Sequence, residues 1–121
     1  MNPIRPLLLV EDDPDVSASL RFWLGTEGYS VETFGSVESL MQAGFSKAEV
    51  LIIDEHLPDG SGSELVRKIH AGGVPIPAIV ITTNPSRALK MFCAEGGVEL
   101  VEKPFLSDEL ITAIERARDR L

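Results

Sequence analysis

Five short apolar runs punctuate the chain, at residues 7–10, 30–34, 50–54, 78–82 and 100–102. Three of them, 7–10, 50–54 and 78–82, are nearly unbroken Leu, Ile and Val. A strand reads that way when both of its faces are covered. The run at 30–34 alternates polar and apolar side chains, as an edge strand does. Between the runs the apolar spacing becomes that of a helix face. Val16, Leu20, Trp23 and Leu24 form one such stripe, and Leu110, Ile111, Ile114, Ala117 and Leu121 another. Shorter stripes fall at Val37, Leu40 and Met41, at Leu65, Val66 and Ile69, and at Ala88, Leu89, Phe92 and Cys93.

The helix starts carry their own signals. Asp13-Pro14 and Asn84-Pro85 each set a capping side chain before a proline at the first helical position. Ser107 precedes Asp108 and Glu109, which suit the positive end of a helix dipole. Gly25, Gly28, Gly44, Gly72 and Gly96 are expected to close helices. A strand followed by a helix, five times over, predicts an α/β fold: a five-stranded parallel sheet with helices on both faces and right-handed crossovers.

The 121 residues fit one domain, 1–121, and 44% of them are hydrophobic, enough for one core. Acidic residues outnumber basic ones by 19 to 11, for a net charge of −8, which argues against direct contact with nucleic acid. Cys93 is the only cysteine, so no intrachain disulfide can form and a reducing, cytoplasmic compartment is the simplest expectation. Residues 1–6 lack the basic stretch and apolar run of a leader peptide. No apolar stretch approaches the roughly 20 residues that span a membrane.

In open sheets of this kind, ligands bind beyond the carboxyl ends of the strands. Glu11, Asp12 and Asp13 follow the first strand and Asp54 ends the third. Thr82 and Thr83 end the fourth, and Lys103-Pro104 follows the fifth. Crowded carboxylates repel unless protonated or bridged by a cation. Mg²⁺ prefers oxygen ligands, commonly one or two carboxylates together with a phosphate. A carboxylate can also attack phosphorus to give an aspartyl-phosphate. The Lys103 ammonium and Thr82 hydroxyl suit charge developing on the transferred group. Asp13 either caps a helix or joins the metal ligands, with capping favoured by Pro14 behind it.

The segments Leu9-Val10-Glu11-Asp12-Asp13, Ile52-Ile53-Asp54, Leu57-Pro58-Asp59-Gly60-Ser61-Gly62, Val80-Ile81-Thr82 and Glu102-Lys103-Pro104-Phe105 resemble those of two-component response-regulator receiver domains. The match runs in order along essentially the whole chain. The wording at 75–82 and 101–105 resembles receivers that precede helix-turn-helix output domains. The resemblance implies a flavodoxin-like (βα)5 fold with strand order 2-1-3-4-5 and Asp54 as phosphoacceptor. It implies Mg²⁺ held by Glu11, Asp12, Asp54 and the backbone carbonyl of His56, with Asp12 a more direct ligand than Glu11. Thr82 corresponds to the switch hydroxyl, Lys103 to the lysine that pairs with the phosphoryl group, and Pro104 to a cis-peptide position. Such a domain catalyses only its own phosphorylation and dephosphorylation. The implied partners are a sensor histidine kinase or phosphotransfer protein, a homodimer mate across helix 4, strand 5 and helix 5, and an output domain that controls transcription.

Two residues depart from the family pattern. Leu100 stands where an aromatic toggle is usual, which puts the output route in question. Thr83 is bulkier than the usual small residue after the switch hydroxyl, and altered phosphorylation or dephosphorylation rates are expected. His56 and Asn84 flank the site and can order or exclude the hydrolytic water. Plainer roles are expected elsewhere: His70 solvated, Cys93 and Trp23 packing, Asp59-Gly60-Ser61-Gly62 a turn into a helix. Glu115, Arg116, Arg118, Asp119 and Arg120 read as a solvated face, or as partners of Arg87 and Lys90 across a dimer. Of the competing functions, Leu100 keeps open a scaffold that works without phosphorylation. A phosphatase of the haloacid-dehalogenase type would need an acid where His56 stands. A cofactor phosphate would be repelled by the acids between Glu11 and Asp15.

Overall fold

Strand and helix alternate along the chain as the apolar spacing predicts. A computed structural model describes residues 5–45, 47–104 and 108–119. In chain order the elements are β1 (Leu7–Val10), α1 (Pro14–Thr26), β2 (Val31–Phe34), α2 (Val37–Ala43), β3 (Val50–Asp54), the two-residue strands β4 (His56–Leu57) and β5 (Gly60–Ser61), α3 (Gly62–Ala71), β6 (Ala78–Thr82), α4 (Arg87–Gly96), β7 (Glu99–Glu102) and α5 (Glu109–Arg118). The main sheet is parallel with order β2-β1-β3-β6-β7. With the small β4–β5 ladder set aside, this is the expected 2-1-3-4-5.

Alternation within the unbroken runs divides the core in two. Leu8, Val10, Leu51, Ile53, Ala78 and Val80 face one layer, with Leu40 of α2, Leu65, Val66 and Ile69 of α3 and Leu89 and Cys93 of α4. Leu7, Leu9, Val50, Ile52, Ile79 and Ile81 face the other, with Leu20 and Leu24 of α1 and Leu110, Ala113, Ile114 and Ala117 of α5. The three central strands are therefore buried throughout, while edge strand β2 buries only Val31.

Several local expectations need correction. Asn84-Pro85 does not open α4. Asn84 has φ 47°, a left-handed conformation that asparagine tolerates. The helix starts at Arg87 behind Ser86, whose hydroxyl accepts the Leu89 N–H at 3.0 Å. Ser107 lies outside the described residues, and Asp108 stands at the N-cap of α5 without a side-chain capping bond. Gly25 lies inside α1, and the left-handed residue closing α4 is Gly97 rather than Gly96. Met41 is half exposed because α2 lies beside the edge strand and sends only Leu40 fully inward. His70 is half-buried, its Nε2 2.7 Å from the Ile76 carbonyl oxygen. Arg118 is not simply solvated: it pairs with Glu49 and lies over the Tyr29 ring. Arg116 reaches Glu99 at 3.6 Å.

Candidate functional site

Parallel register brings the strand ends to one edge. Val10 pairs with Ile53, so Glu11 falls beside Asp54. Backbone bonds carry the sheet one residue past its strands: Glu11 N–H donates to Phe34 O at 2.9 Å, Glu55 N–H to Ile81 O at 2.9 Å, and Lys103 N–H to Thr82 O at 2.7 Å. The side chains that follow are held by the sheet, although they stand in loops.

Glu11, Asp54 and Thr82 are the buried polar residues among those described, at 3%, 6% and 2% exposure. Lys103 Nζ bridges the two acids, 2.7 Å from Glu11 Oε1 and 2.8 Å from Asp54 Oδ2. The other Asp54 oxygen, Oδ1, accepts the His56 N–H at 3.0 Å. Asp12 is exposed, and carboxylate oxygens of Glu11, Asp12 and Asp54 lie within 4.8 Å of one another. Three carboxylates and one ammonium leave excess negative charge, directed at a point open to solvent through Asp12. An all-oxygen donor set of that charge suits a hard divalent cation.

The two buried acids do not share their charge equally. Burial pushes the Glu11 carboxyl up to about 7, and neighbouring Asp54 adds to the rise while Lys103 opposes it. Burial also works against an ionised Asp54, but Glu11, Lys103 and the His56 N–H together hold it below the ordinary carboxylate range. Lys103 loses to burial and gains more from Asp54 and Glu11, so its pKa lies above the ordinary value. Hence Asp54 is the more readily ionised carboxylate of the pair and Glu11 the more readily protonated one.

The other singled-out residues sort by position. Asp13 caps α1: its Oδ1 accepts Asp15 N–H at 2.9 Å and Val16 N–H at 3.3 Å. Thr82 donates to the Thr83 carbonyl at 3.3 Å. Thr83, Asn84 and His56 are exposed at the rim, and Lys103-Pro104 is a cis peptide. Leu100 is half-buried on β7, opposite Val80, and packs into the layer that holds α3 and α4. Cys93 is buried in that layer with its thiol pushed up to about 11, first by burial and then by Glu55 and Glu99.

Residues 7–115 match the family described as the response regulator receiver domain. The chain belongs to that family. It is 36% identical over 115 residues to the transcriptional regulatory protein FixJ of Rhizobium meliloti (strain 1021), covering 93% of this chain and 56% of the relative. It is 32% identical over 110 residues to the response regulator MprA of Mycobacterium leprae (strain TN), covering 89% and 48%. Among solved structures, that of FixJ-N superposes with TM-score 0.85 at 32% identity, covering 100% of this chain and 98% of that one. The beryllofluoride-activated NtrC4 receiver domain dimer gives 0.82 at 25%, covering 95% and 97%. This receiver domain spans about half the length of those curated relatives. Among its described residues no helix is long and apolar enough to cross a membrane.

Three residues of this receiver escaped the sequence reading. Asp59 accepts the Val37 and Glu38 N–H groups, both at 2.9 Å, and so caps α2 from a distant loop. Those two bonds draw its carboxyl below the ordinary range. Gly62 packs against the Asp54 backbone, and Glu55 binds the start of α3. The turn signal of Asp59-Gly60-Ser61-Gly62 and the Ser61-x-x-Glu64 spacing, a known helix-start signature, mark the start of α3 but not these contacts.

Proposed function

We propose that this receiver takes a phosphoryl group onto Asp54 from a sensor histidine kinase or phosphotransfer protein and thereby switches an output surface. The observation that carries the reading is Asp54 itself: a carboxylate 6% exposed yet held ionised between Lys103 Nζ and the His56 N–H. The Asp54 oxygen attacks phosphorus as the donor's bond to phosphorus breaks, and an acyl phosphate forms. Lys103 neutralises charge on the transferred oxygens, and the Thr82 hydroxyl turns from the Thr83 carbonyl toward them. Glu11, Asp12, Asp54 and the His56 carbonyl would hold Mg²⁺, which supplies the remaining charge neutralisation. The whole chain, 1–121, acts as one phosphoacceptor module working in the cytoplasm.

The added charge, up to about −2, shifts the loop after β6 and with it α4. Leu100 has no ring to rotate, so the relay runs through its packing into the α3–α4 layer. Exposed Arg87 and Lys90 on α4, Glu115 on α5 and Asp119 at its C-cap supply opposite charges for a homodimer across α4, β7 and α5. The relatives' transcriptional roles support an output domain, attached or separate, that controls transcription.

Incubation with Mg²⁺ and acetyl phosphate should add one phosphoryl mass. The addition should vanish without Mg²⁺ and in Asp54→Ala. A folded parent that gains no mass, even with a beryllium fluoride mimic present, would leave the phosphate-independent scaffold as the better reading. Mg²⁺ binding should also depend on pH. Glu11 keeps its proton to about 7, and a bound cation must displace it. Raising the pH from about 6 to about 8 should tighten Mg²⁺ binding about tenfold. Titration calorimetry at both pH values checks the sign, and Glu11→Gln should flatten the slope. Finally, Thr83→Ala should change the dephosphorylation rate by opening the rim; equal lifetimes for the two proteins would refute that role.

A further inference from the structure

Glu55 follows the phosphoacceptor and is tied down at every polar group the structure accounts for. Its N–H donates to Ile81 O at 2.9 Å, and its carbonyl accepts the Gly62 N–H at 3.1 Å. Its carboxylate accepts the Ser63 N–H at 2.7 Å, the Ser63 hydroxyl at 2.8 Å and the Ser61 hydroxyl at 3.4 Å. Ser61 in turn caps α3 by accepting the Glu64 N–H at 3.2 Å. Ordinary capping asks for less than this, since Ser61 alone provides a cap. The carboxylate adds a negative charge at the same helix start, where the dipole favours it.

The geometry points to a role in placing the reacting groups: we propose that Glu55 is a positioning residue that clamps the start of α3 against the end of β3 and so fixes Asp54 and the His56 N–H. The inference rests on Asp54 being the phosphoacceptor. The loop from Glu55 to Ser61 contains His56, whose N–H orients Asp54 Oδ1. That loop is anchored at one end by the β3–β6 ladder and at the other by the Glu55 carboxylate. Gly62, the first residue of α3, already lies in contact with the Asp54 carbonyl. A released helix start would therefore move both ends of the loop that shapes the site, and misplacement by about 1 Å can cost a transfer reaction on the order of a hundredfold.

The test compares Glu55→Ala, Glu55→Gln and Ser63→Ala with the full parent chain, each held well below its unfolding midpoint. The readouts are the rate of phosphoryl gain at saturating Mg²⁺ and acetyl phosphate and amide hydrogen exchange at His56 and Ser63. Glu55→Ala should slow phosphorylation by about tenfold or more and expose both amides to exchange, with central β1 and β3 still protected. Glu55→Gln should restore most of both, because its amide can accept the Ser63 N–H and donate to the hydroxyls. Ser63→Ala, which keeps the N–H bond and loses the hydroxyl, should fall between. A Glu55→Ala protein with a lowered midpoint but parental rate and parental His56 exchange would make Glu55 a stability cap only and overturn the proposal. A parent that gains no phosphoryl group, like its Asp54→Ala control, would instead overturn the reading on which it rests.

Discussion

Lys103→Met should slow phosphorylation of Asp54 on the order of a hundredfold and, without Mg²⁺ at about pH 8, destabilise the fold by about 3 kcal/mol. Both effects come from one ammonium. Lys103 Nζ lies 2.7 Å from Glu11 and 2.8 Å from Asp54, and both acids are almost fully buried. Removing the cation leaves two carboxylates out of water with nothing between them. A methionine keeps most of the stem's packing, so the loss reports charge rather than volume.

The same variant has a signature that a packing defect lacks. Glu11 already holds its proton to about 7 with Lys103 present; without Lys103 both acids ionise less readily. Lowering the pH lets them take up protons and should recover much of the lost stability, whereas in the parent Lys103 already supplies the compensation. The folded-state pKa of Glu11 lies above its ordinary value, so its ionisation opposes folding as pH rises through about 7, and more so in the variant. Mg²⁺ should also recover stability, since a divalent cation can replace the missing charge. Urea unfolding at two pH values, with and without Mg²⁺, checks this. Equal losses under all four conditions would mean that Lys103 acts through packing.

The parts of the fold that were legible share a physical cause. A central strand covered on both faces has no room for a polar residue, so β1, β3 and β6 stand out as uninterrupted apolar runs, and Asp54 at the end of one has no structural excuse. Lys103 was readable only in combination, because a lysine after a strand is ordinarily solvated. What could not be read depends on where distant loops meet. Asp59 sits in a turn by its local sequence, yet it caps a helix that starts 22 residues earlier. His70 has helical spacing on a polar face, but the return of the chain brings the Ile76 carbonyl to it. Glu55 looks like any acid leaving a strand until Ser61 and Ser63 fold back onto it. Asn84 carried a real turn signal, and the positive φ went to it rather than to a helix cap.

Two glycines make the last expectation a matter of sign. Gly62→Ala should destabilise the protein by about 2–3 kcal/mol, while Gly25→Ala should stabilise it by up to about 1 kcal/mol. Both residues are in helices, and neither has a positive φ, so backbone propensity favours alanine at each. Space decides the difference. A Cβ on Gly25 meets nothing within 4 Å, on the exposed side of α1. A Cβ on Gly62 would stand 2.4 Å from the Asp54 carbonyl oxygen, 3.0 Å from its carbon and 3.2 Å from Ile53 Cγ1. Neither the oxygen nor the carbon belongs to a flexible side chain. Strand β3 is fully buried between β1 and β6 and cannot retreat, so α3 must move away from the site. The movement displaces the His56 loop that both Asp54 and Glu55 hold, and phosphorylation should fall with stability in Gly62→Ala and stay parental in Gly25→Ala. Denaturant midpoints and phosphoryl-gain rates for the two proteins settle it, and a Gly62→Ala protein as stable and as reactive as the parent would show that α3 can yield without disturbing Asp54.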